Sequence, residues 1–580
     1  MRRRDFLKLC AKLGIFGLSA IGFNCLERER DEHILKKEPE VYGTYISGTS
    51  AGDAETLNWI LAADSASFAY AGLCLDSLAI YDNQFNIHLR HLAKQIEVSE
   101  DGLTYTITIR NDLKWSDGRN VTADDYVYTI KNLMMSDWLP YNYKDDWREE
   151  VEGEKRFVEV EKINEIAFQI KRKTIDPEFL DNVLHNLTPY PKHIAEEYVQ
   201  IEDEKRRVEA FIKAEEFNTL SYTGNLGMFK FKEWIRNDKY VTERNFDYYL
   251  SKAEGKPYPY FEKYIVKIFG SPATLNAALE AGDITSAGID PDQVARFKEM
   301  KHLQVYTYPT TGYLLLAYNL RNNGWEGLRN REVRQAFSLA IGKKTLIDKI
   351  LMGFGEPAFS FIPKSSPWYT EEGVMKFGVD ELYDKEKAKQ KLVDIGYSII
   401  PALKIYTNSG NKTREDVCLF IKQELKELGI EVKVSFLPWA TLLEKYLRNT
   451  IPNSKMPPSF NNGRYAVSEE PWDMIVIGFS TNPIAPSGSR LFFTSDGGLN
   501  FWGYFNEEVD ELFNRARSKE GLDKAKRKEI YAELSRVIAM DQPVDFLAFE
   551  LANVGIKKEV QGIDPGIRIG WNLHQWYFLK

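Results

Sequence analysis

Cysteine is scarce in this sequence. Four cysteines occur among 580 residues, which excludes a small domain held together by disulfides. Cys418 shares one face of a predicted helix with Ile421, Leu425 and Leu428, so a buried thiol is favoured there over a redox or metal role. Cys74 lies far from Cys418 in the chain, and the sequence leaves open whether the two thiols pair.

Long apolar runs and a strong charge of one sign are also missing. The chain has 76 Lys and Arg residues against 85 Asp and Glu residues, for a net charge of −9, so nucleic acid is not an expected partner. Beyond the N-terminus there is no run of about 20 apolar residues, and no membrane-spanning helix is predicted there. Because one hydrophobic core stops growing at roughly 250–300 residues, the length implies at least two packed lobes.

The common catalytic and nucleotide-binding motifs are absent. There is no phosphate loop, no G-x-G-x-x-G after a strand, and no H-E-x-x-H among the seven histidines. Gly48–Gly52 fits the G-x-S-x-G pattern of a nucleophilic serine, but that serine normally follows several strands, and too little chain precedes Ser50. A flexible turn is favoured, no catalytic residue is assigned, and neither a cofactor nor a metal is expected.

The N-terminus has the features of an export signal. Three arginines and one lysine among the first eight residues precede an uncharged stretch of 14 residues, which is too short to span a bilayer as a helix. We predict that residues 1–24 are a removable signal peptide. The run that starts at Arg3 resembles a twin-arginine export signal, and Cys25 resembles the lipid-modified cysteine of bacterial lipoproteins. Residues 25–40 would then be a polar tether.

Strand and helix patterns alternate along the remaining chain. Leu103–Arg110 alternates in the manner of a strand, and the turn signal before it predicts a hairpin. Thr122 is a predicted helix N-cap, and residues 331–351 are predicted to be helical, with Val333, Phe337, Ala340 and Ile341 on one face.

The helix that contains Cys418 lies between two predicted strands, at a spacing typical of a βαβ unit with a parallel strand pair. The predicted fold class is therefore α/β, in part α+β.

Many segments, in order, resemble those of one known family. They include LAKQIEVSEDGLTYTITIRNDLKWSDGRNVTADDYVYTIKNL (residues 92–133), GNLGMFKFKEWIRNDKYVTERNFDYY, REVRQAFSLAI, YDKEKAKQKLVDIGY and GYFNEEVDELFNRAR. From about Tyr42 to Trp576 the chain is similar to the extracellular solute-binding proteins of bacterial ABC importers, family 5, of the oligopeptide- and dipeptide-binding type.

This resemblance implies a bilobal, periplasmic-binding-protein-like fold with a hinge and a ligand enclosed between the lobes. Lobe I is expected to be discontinuous and to comprise residues 41–70, 187–300 and 545–580. An extra β-rich domain II is expected at residues 71–186, and lobe III at residues 301–544.

The resemblance also implies which residues border the ligand. Trp439 matches a tryptophan that contacts ligand in relatives, and Phe479 stands where relatives carry another tryptophan. Asn482 stands where relatives carry an aspartate for the ligand's α-amino group, and its neutral amide cannot replace that charge. Arg490 and Tyr504 are chosen only for residue type and context. The predicted ligand-binding set is Ser65, Phe68, Trp439, Phe479, Asn482, Arg490 and Tyr504.

The function implied is that of a monomeric receptor, not an enzyme, which captures a solute outside the cytoplasm and delivers it to ABC permease subunits. Its location would be periplasmic or at the cell surface, with a membrane anchor on Cys25. An oligopeptide is the first ligand hypothesis. An oligosaccharide or another neutral solute is the second, with Trp439 and Phe479 stacking on sugar rings. An exported hydrolase that uses Ser50 is a third hypothesis, from a different class.

Overall fold

The computed structural model describes residues 39–83, 87–88, 91–370, 383–448 and 467–580. The predicted signal peptide, Cys25 and nearly all of the predicted tether lie outside these residues. In the part of the chain that is described, no helix is both long enough and apolar enough to cross a membrane.

The described strands, in chain order, are β1 (Thr44–Thr49), β2 (Ile80–Tyr81), β3 (Ile87–His88), β4 (Ala93–Val98), β5 (Thr104–Ile109), β6 (Arg148–Val151), β7 (Glu154–Phe157), β8 (Glu159–Asn164), β9 (Ala167–Lys171), β10 (Phe229–Ile235), β11 (Lys239–Arg244), β12 (Lys263–Ile268), β13 (Ser286–Gly288), β14 (Leu303–Tyr318), β15 (Gly355–Pro357), β16 (Leu403–Asn408), β17 (Val432–Leu437), β18 (Met474–Ser480), β19 (Val544–Lys557), β20 (Val560–Gln561) and β21 (Tyr577–Phe578).

The described α-helices are α1 (Ser65–Cys74), α2 (Ala123–Tyr128), α3 (Phe179–Asn182), α4 (Lys192–Val199), α5 (Glu204–Lys213), α6 (Glu215–Thr219), α7 (Tyr249–Glu254), α8 (Pro272–Ala281), α9 (Val294–Lys298), α10 (Arg331–Ala340), α11 (Lys343–Lys349), α12 (Lys385–Asp394), α13 (Lys412–Glu427), α14 (Trp439–Thr441), α15 (Arg490–Phe493), α16 (Glu507–Ala516) and α17 (Lys524–Asp541).

The largest sheet among the described strands runs in the order β10-β11-β12-β1-β13-β19-β14-β18-β16-β17, with β15 paired to β19. Its two long central strands, β14 and β19, are antiparallel, but their register shifts between Pro309 and Tyr313 and again between Leu314 and Leu315. A smaller sheet, β4-β5-β9-β8, lies outside this one. We call residues 41–309 and 550–580 the N-terminal half and residues 310–549 the C-terminal half.

Each half has its own hydrophobic core. The largest cluster in the N-terminal half reaches from Tyr45 to Phe578 and includes the inward side chains of the small sheet, such as Ile107. In the C-terminal half the side chains of β14 alternate between two clusters, with Tyr313 in one and Leu314 in the other, because successive residues of a strand point to opposite faces. A hydrophobic core of its own is what distinguishes one domain from another.

The predicted hairpin and βαβ unit are both confirmed, and so is the mixed α/β class. β4 pairs antiparallel with β5, in which every second residue is buried. β16 pairs parallel with β17, and α13 connects them with Cys418 and Leu425 buried against the sheet. The Thr122 N-cap is also present, and its backbone N–H donates to the Asp125 carboxylate at 2.8 Å.

The helix predicted over residues 331–351 is instead two helices, α10 and α11. Ile341 has an extended backbone (φ −94°, ψ 108°) and Gly342 follows it before α11 begins. Glycine is costly inside a helix because it loses more backbone freedom than other residues. The break falls at this glycine, yet Ile341 stays buried in the same cluster as Val333 and Phe337.

Cys74 and Cys418 are both free and buried, so they do not form the disulfide that the sequence left open. Burial raises the pKa of Cys74 to about 12 and also raises the pKa of Cys418. In a variant with Cys10 and Cys25 replaced by serine, we expect the folded protein to resist DTNB at pH 8 and both thiols to react in urea. Rapid labelling of the folded protein would contradict the buried positions.

Candidate functional site

The first turn of α1 is fixed by a compact hydrogen-bond network. Asp64 caps the helix, and its carboxylate accepts from the Ser67 backbone N–H at 2.9 Å and from the Ser67 hydroxyl at 2.5 Å. The Ser67 Oγ accepts from the backbone N–H groups of Glu55 and Thr56 at 3.0 and 3.1 Å. Two of the predicted site residues, Ser65 and Phe68, are not part of this network. Both side chains are exposed.

Phe479 lies near the end of β18 and forms part of an aromatic wall. Its ring centroid is 4.4 Å from that of Phe492 and 5.9 Å from that of Trp502. Phe479 is half-buried, while Trp502 is fully buried. Ala63 and Tyr143 of the N-terminal half pack against the same cluster. The wall therefore faces the junction between the halves.

Asn482 bridges the two halves. Its Nδ2 donates to the Asp181 carbonyl oxygen at 2.8 Å, and its Oδ1 accepts from the Ile484 backbone N–H at 3.2 Å. The side chain is thus held by protein groups on both its polar atoms. Its predicted contact with a ligand stays a prediction.

Asp176 anchors a charged contact between the halves, close in sequence to Asp181. Its carboxylate accepts from Nε and Nη2 of Arg517 at 2.9 and 2.7 Å, and Arg172 lies 3.9 Å away. Burial alone would raise the pKa of Asp176, but Arg517 and Arg172 together hold it below its ordinary value. The carboxylate therefore stays ionised, and the contact is charge-assisted.

Glu178 is a fully buried carboxylate in the same contact. Its Oε2 accepts from the Ser487 backbone N–H at 3.0 Å and from the Ser487 hydroxyl at 2.6 Å. Its Oε1 accepts from the Tyr531 hydroxyl at 2.7 Å, with Nη1 of Arg527 at 3.5 Å. Burial raises the pKa of Glu178 to about 7, against the opposing effect of these donors. Nothing in the sequence pairs this residue with partners some 300 positions away.

A second set of contacts joins the turn after β1 to the C-terminal half. Trp439 begins α14, is half-buried, and lies beside Gly52. Glu55 pairs with Arg448 at 3.1 Å. The Ser50 hydroxyl donates to the Gly410 carbonyl oxygen at 3.3 Å rather than to an imidazole, so it lacks the arrangement that activates a serine nucleophile.

Arg490 and Tyr504, which were predicted from residue type and context, both contact other side chains of the protein. Arg490 is buried and pairs with Asp146 of the N-terminal half at 2.7 Å. Tyr504 is also buried, and its hydroxyl donates to the Asp541 carboxylate at 2.7 Å, within the C-terminal half. Tyr504 and the neighbouring Trp502 both belong to the hydrophobic core of the C-terminal half.

The structure brings together most of the predicted set at the junction between the halves. Phe479, Asn482 and Arg490 lie on one segment of the C-terminal half, and Trp439 packs against the same core. Tyr504 is buried inside that same core, and its hydroxyl contacts Asp541 within the C-terminal half. The acidic residues Asp176 and Glu178 at this junction are absent from the predicted set.

Known proteins resemble this chain along most of its length. The oligopeptide-binding protein AppA of Bacillus subtilis is 28% identical over 561 residues, which cover 94% of this chain and 93% of that protein. The periplasmic oligopeptide-binding protein OppA of Haemophilus influenzae is 26% identical over 472 residues, which cover 77% of this chain and 78% of that protein. Both are named as binding proteins and not as enzymes.

The fold is also shared with solved structures. One of them is the structure of AppA from Bacillus subtilis in complex with a nonapeptide. It matches this chain with a TM-score of 0.78 and 26% identity, and the match covers 94% of this chain and 100% of the AppA chain. Residues 90–501, well over half of the chain, match the family described as bacterial extracellular solute-binding proteins, family 5. The chain therefore belongs to the bacterial extracellular solute-binding proteins of family 5.

Proposed function

We propose that this protein is the receptor of an ABC importer and that it captures an oligopeptide between its two halves. The observation that carries the proposal is the nonapeptide held by AppA, whose fold matches 94% of this chain. The two named relatives are both oligopeptide-binding proteins, which favours a peptide over an oligosaccharide. The hydrolase hypothesis is not supported by the hydrogen bond that Ser50 makes.

Closure of the halves around the ligand is the proposed mechanism. β14 and β19 connect the halves, and the register irregularity at Thr310–Gly312 is suited to a bend there. In this account the N-terminal half holds lobe I and domain II and the C-terminal half holds lobe III, with the limits of lobe III moved from the predicted 301–544 to 310–549. A ligand shifts the open–closed equilibrium only as far as it binds the closed form better, and the contacts of Asp176 and Glu178 belong to that closed form.

The ligand's main chain is proposed to add along β18. Among the described strands, β16 pairs with β18 only at Met474 and Ile475, which leaves the edge towards Ser480 for another strand. A peptide that adds a strand gains affinity through backbone hydrogen bonds, and its side chains give specificity. Phe479 and Trp439 are then the aromatic contacts for those side chains.

Titration calorimetry tests the proposed function. We expect one-to-one binding of nonapeptides drawn from a mixed-sequence library, no heat with malto-oligosaccharides, and recovery of the intact peptide from both the wild type and Ser50→Ala. Binding of the sugars alone would favour the oligosaccharide hypothesis. Peptide cleavage that Ser50→Ala abolishes would favour the hydrolase.

Export and lipid anchoring of Cys25 complete the proposal, because an anchor would hold the receptor near its membrane permease. In the bacterial cell, Cys25→Ala is expected to abolish incorporation of labelled palmitate and to release the protein from the membrane fraction. Cys10→Ala is the matched control and should keep both. Membrane retention of Cys25→Ala would overturn this part of the proposal.

A further inference from the structure

A cavity of about 540 Å³ lies in the N-terminal half beside α1. One wall is formed by α1 and the chain that follows it, including Phe68, Gly72 and Leu75, and the opposite wall includes Met134 and Tyr143. Its size and its aromatic and aliphatic walls are typical of a ligand pocket.

The helix that borders this cavity has an unusual exposed face. α1 reads SASFAYAGLC and contains no charged residue, yet Ser65, Phe68, Ala69 and Gly72 are all exposed on one side. A surface helix normally presents charged or polar side chains to water. Phe68 is 41% exposed, and a Cβ atom placed on Gly72 would have no atom within 4 Å. The space in front of this apolar face is therefore open.

The acidic groups at the cavity wall are already paired. Asp146 forms its ion pair with Arg490 at 2.7 Å. Asp76 accepts from the hydroxyls of Tyr248 and Tyr249, each at 2.8 Å, and lies 3.4 Å from Nδ1 of His91. A ligand cation would thus have to compete with fixed partners for both carboxylates.

Two further titratable residues, His185 and Arg568, line the cavity. Burial lowers the pKa of His185 to about 3, so its imidazole is neutral. Arg568 lies over the Tyr81 ring, 5.9 Å from its centroid, and borders one end of the cavity. Apolar and aromatic side chains, including Leu75, Met134 and Tyr143, line the cavity together with polar side chains such as Ser77 and Asn186.

The cavity adjoins the junction where the peptide is expected. Tyr143 lines the cavity and also packs against the core that carries Phe479. Asp146 lines it as well and reaches Arg490 on the same segment as Phe479. Tyr143 and Asp146 thus place the cavity next to the site proposed for the peptide.

We propose that this cavity is a specificity pocket that takes one bulky apolar side chain of the bound peptide, such as phenylalanine, against the α1 face. The inference rests on the proposed peptide-binding function. It accounts for the apolar exposed face of α1 and for the paired state of the nearby carboxylates.

A set of nine nonapeptides tests the pocket. Each has an alternating alanine–serine frame with one phenylalanine, placed at a different position in each peptide. For the wild type, we expect one placement to bind about 10- to 100-fold more tightly than the frame, the gain for burying one such side chain. Gly72→Phe should remove this preference by filling the pocket. Gly270→Ala, which adds one methyl group in open space outside the cavity, should keep the preference.

Photo-crosslinking gives a second readout that does not depend on the filled variant folding. A peptide with benzoylphenylalanine at the preferred position should label Met134 or other residues of the cavity wall. Frame binding with no preferred placement, or labelling confined to other surfaces, would overturn the pocket while leaving the peptide function intact. Failure of the frame and all nine peptides to bind would instead count against the proposed function on which the pocket depends.

Discussion

Glu178→Ala is expected to weaken peptide binding at pH 8 by about two to three and a half orders of magnitude. The substitution leaves Arg527 buried without its carboxylate partner, together with the hydroxyl of Tyr531 and the donors of Ser487. Removing one member of a buried ion pair costs about 3–5 kcal/mol, and each 1.4 kcal/mol is a factor of about ten in affinity. Opening returns these groups to water, so the cost falls on the closed form. Titration calorimetry measures the loss.

Two further variants show whether the effect comes from this carboxylate. Glu150→Ala removes an exposed acid of the same half and should bind like the wild type. The pKa of Glu178 is about 7 in its buried site, above its ordinary value of 4.5. Between these two pKa values, closure of the halves is accompanied by the binding of a proton to Glu178. Peptide affinity should therefore fall as the pH rises from 5 through 7. Glu178→Gln should lose that part of the pH dependence. Equal affinity of Glu178→Ala and wild type would contradict the closed-form contact.

Gly227→Ala is expected to lower the free energy of unfolding by about 3 kcal/mol or more, the upper range for overpacked sites. A Cβ atom at this position would lie 2.1 Å from the carbonyl carbon of Cys74 and 2.5 Å from the backbone nitrogen of Leu75. Both are backbone atoms and cannot rotate away. Asn245 also holds this segment, because its Nδ2 donates to the Gly227 carbonyl oxygen at 2.8 Å.

Urea unfolding followed by circular dichroism measures this loss. Gly270→Ala is the matched control, since a Cβ atom there would meet nothing within 4 Å and its φ is not positive. It should unfold at nearly the same urea concentration as the wild type. Similar midpoints for Gly227→Ala and Gly270→Ala would mean that the close approach to Cys74 does not exist in solution.

Local features were predictable because their causes are local. The hairpin of β4 and β5 follows from alternation and a turn signal, and the Thr122 cap follows from the acids in the next turn. The βαβ unit around Cys418 follows from the spacing of its elements. The prediction over residues 331–351 was wrong at Gly342 because the apolar pattern on both sides of the glycine hid the break.

The contacts between the halves could not be predicted from the sequence. Glu178 and Ser487 lie 309 positions apart, and only the folded chain places one against the other. Glu178 lies in the segment IDPEFLDN, where acidic residues alternate with apolar ones. This pattern indicates a partly buried carboxylate, but it does not indicate which residue pairs with Glu178. Similarly, Tyr504 was chosen for its residue type and context, while the fold places its ring in the core.

The most direct test of the central claim is the identity of the ligand that the protein carries from the cell. The mature protein, purified without denaturation and then unfolded, should release oligopeptides that mass spectrometry can sequence. We expect peptides at close to one per protein molecule, with bulky apolar residues enriched at one position. Release of a sugar or another non-peptide solute at that ratio would contradict the account.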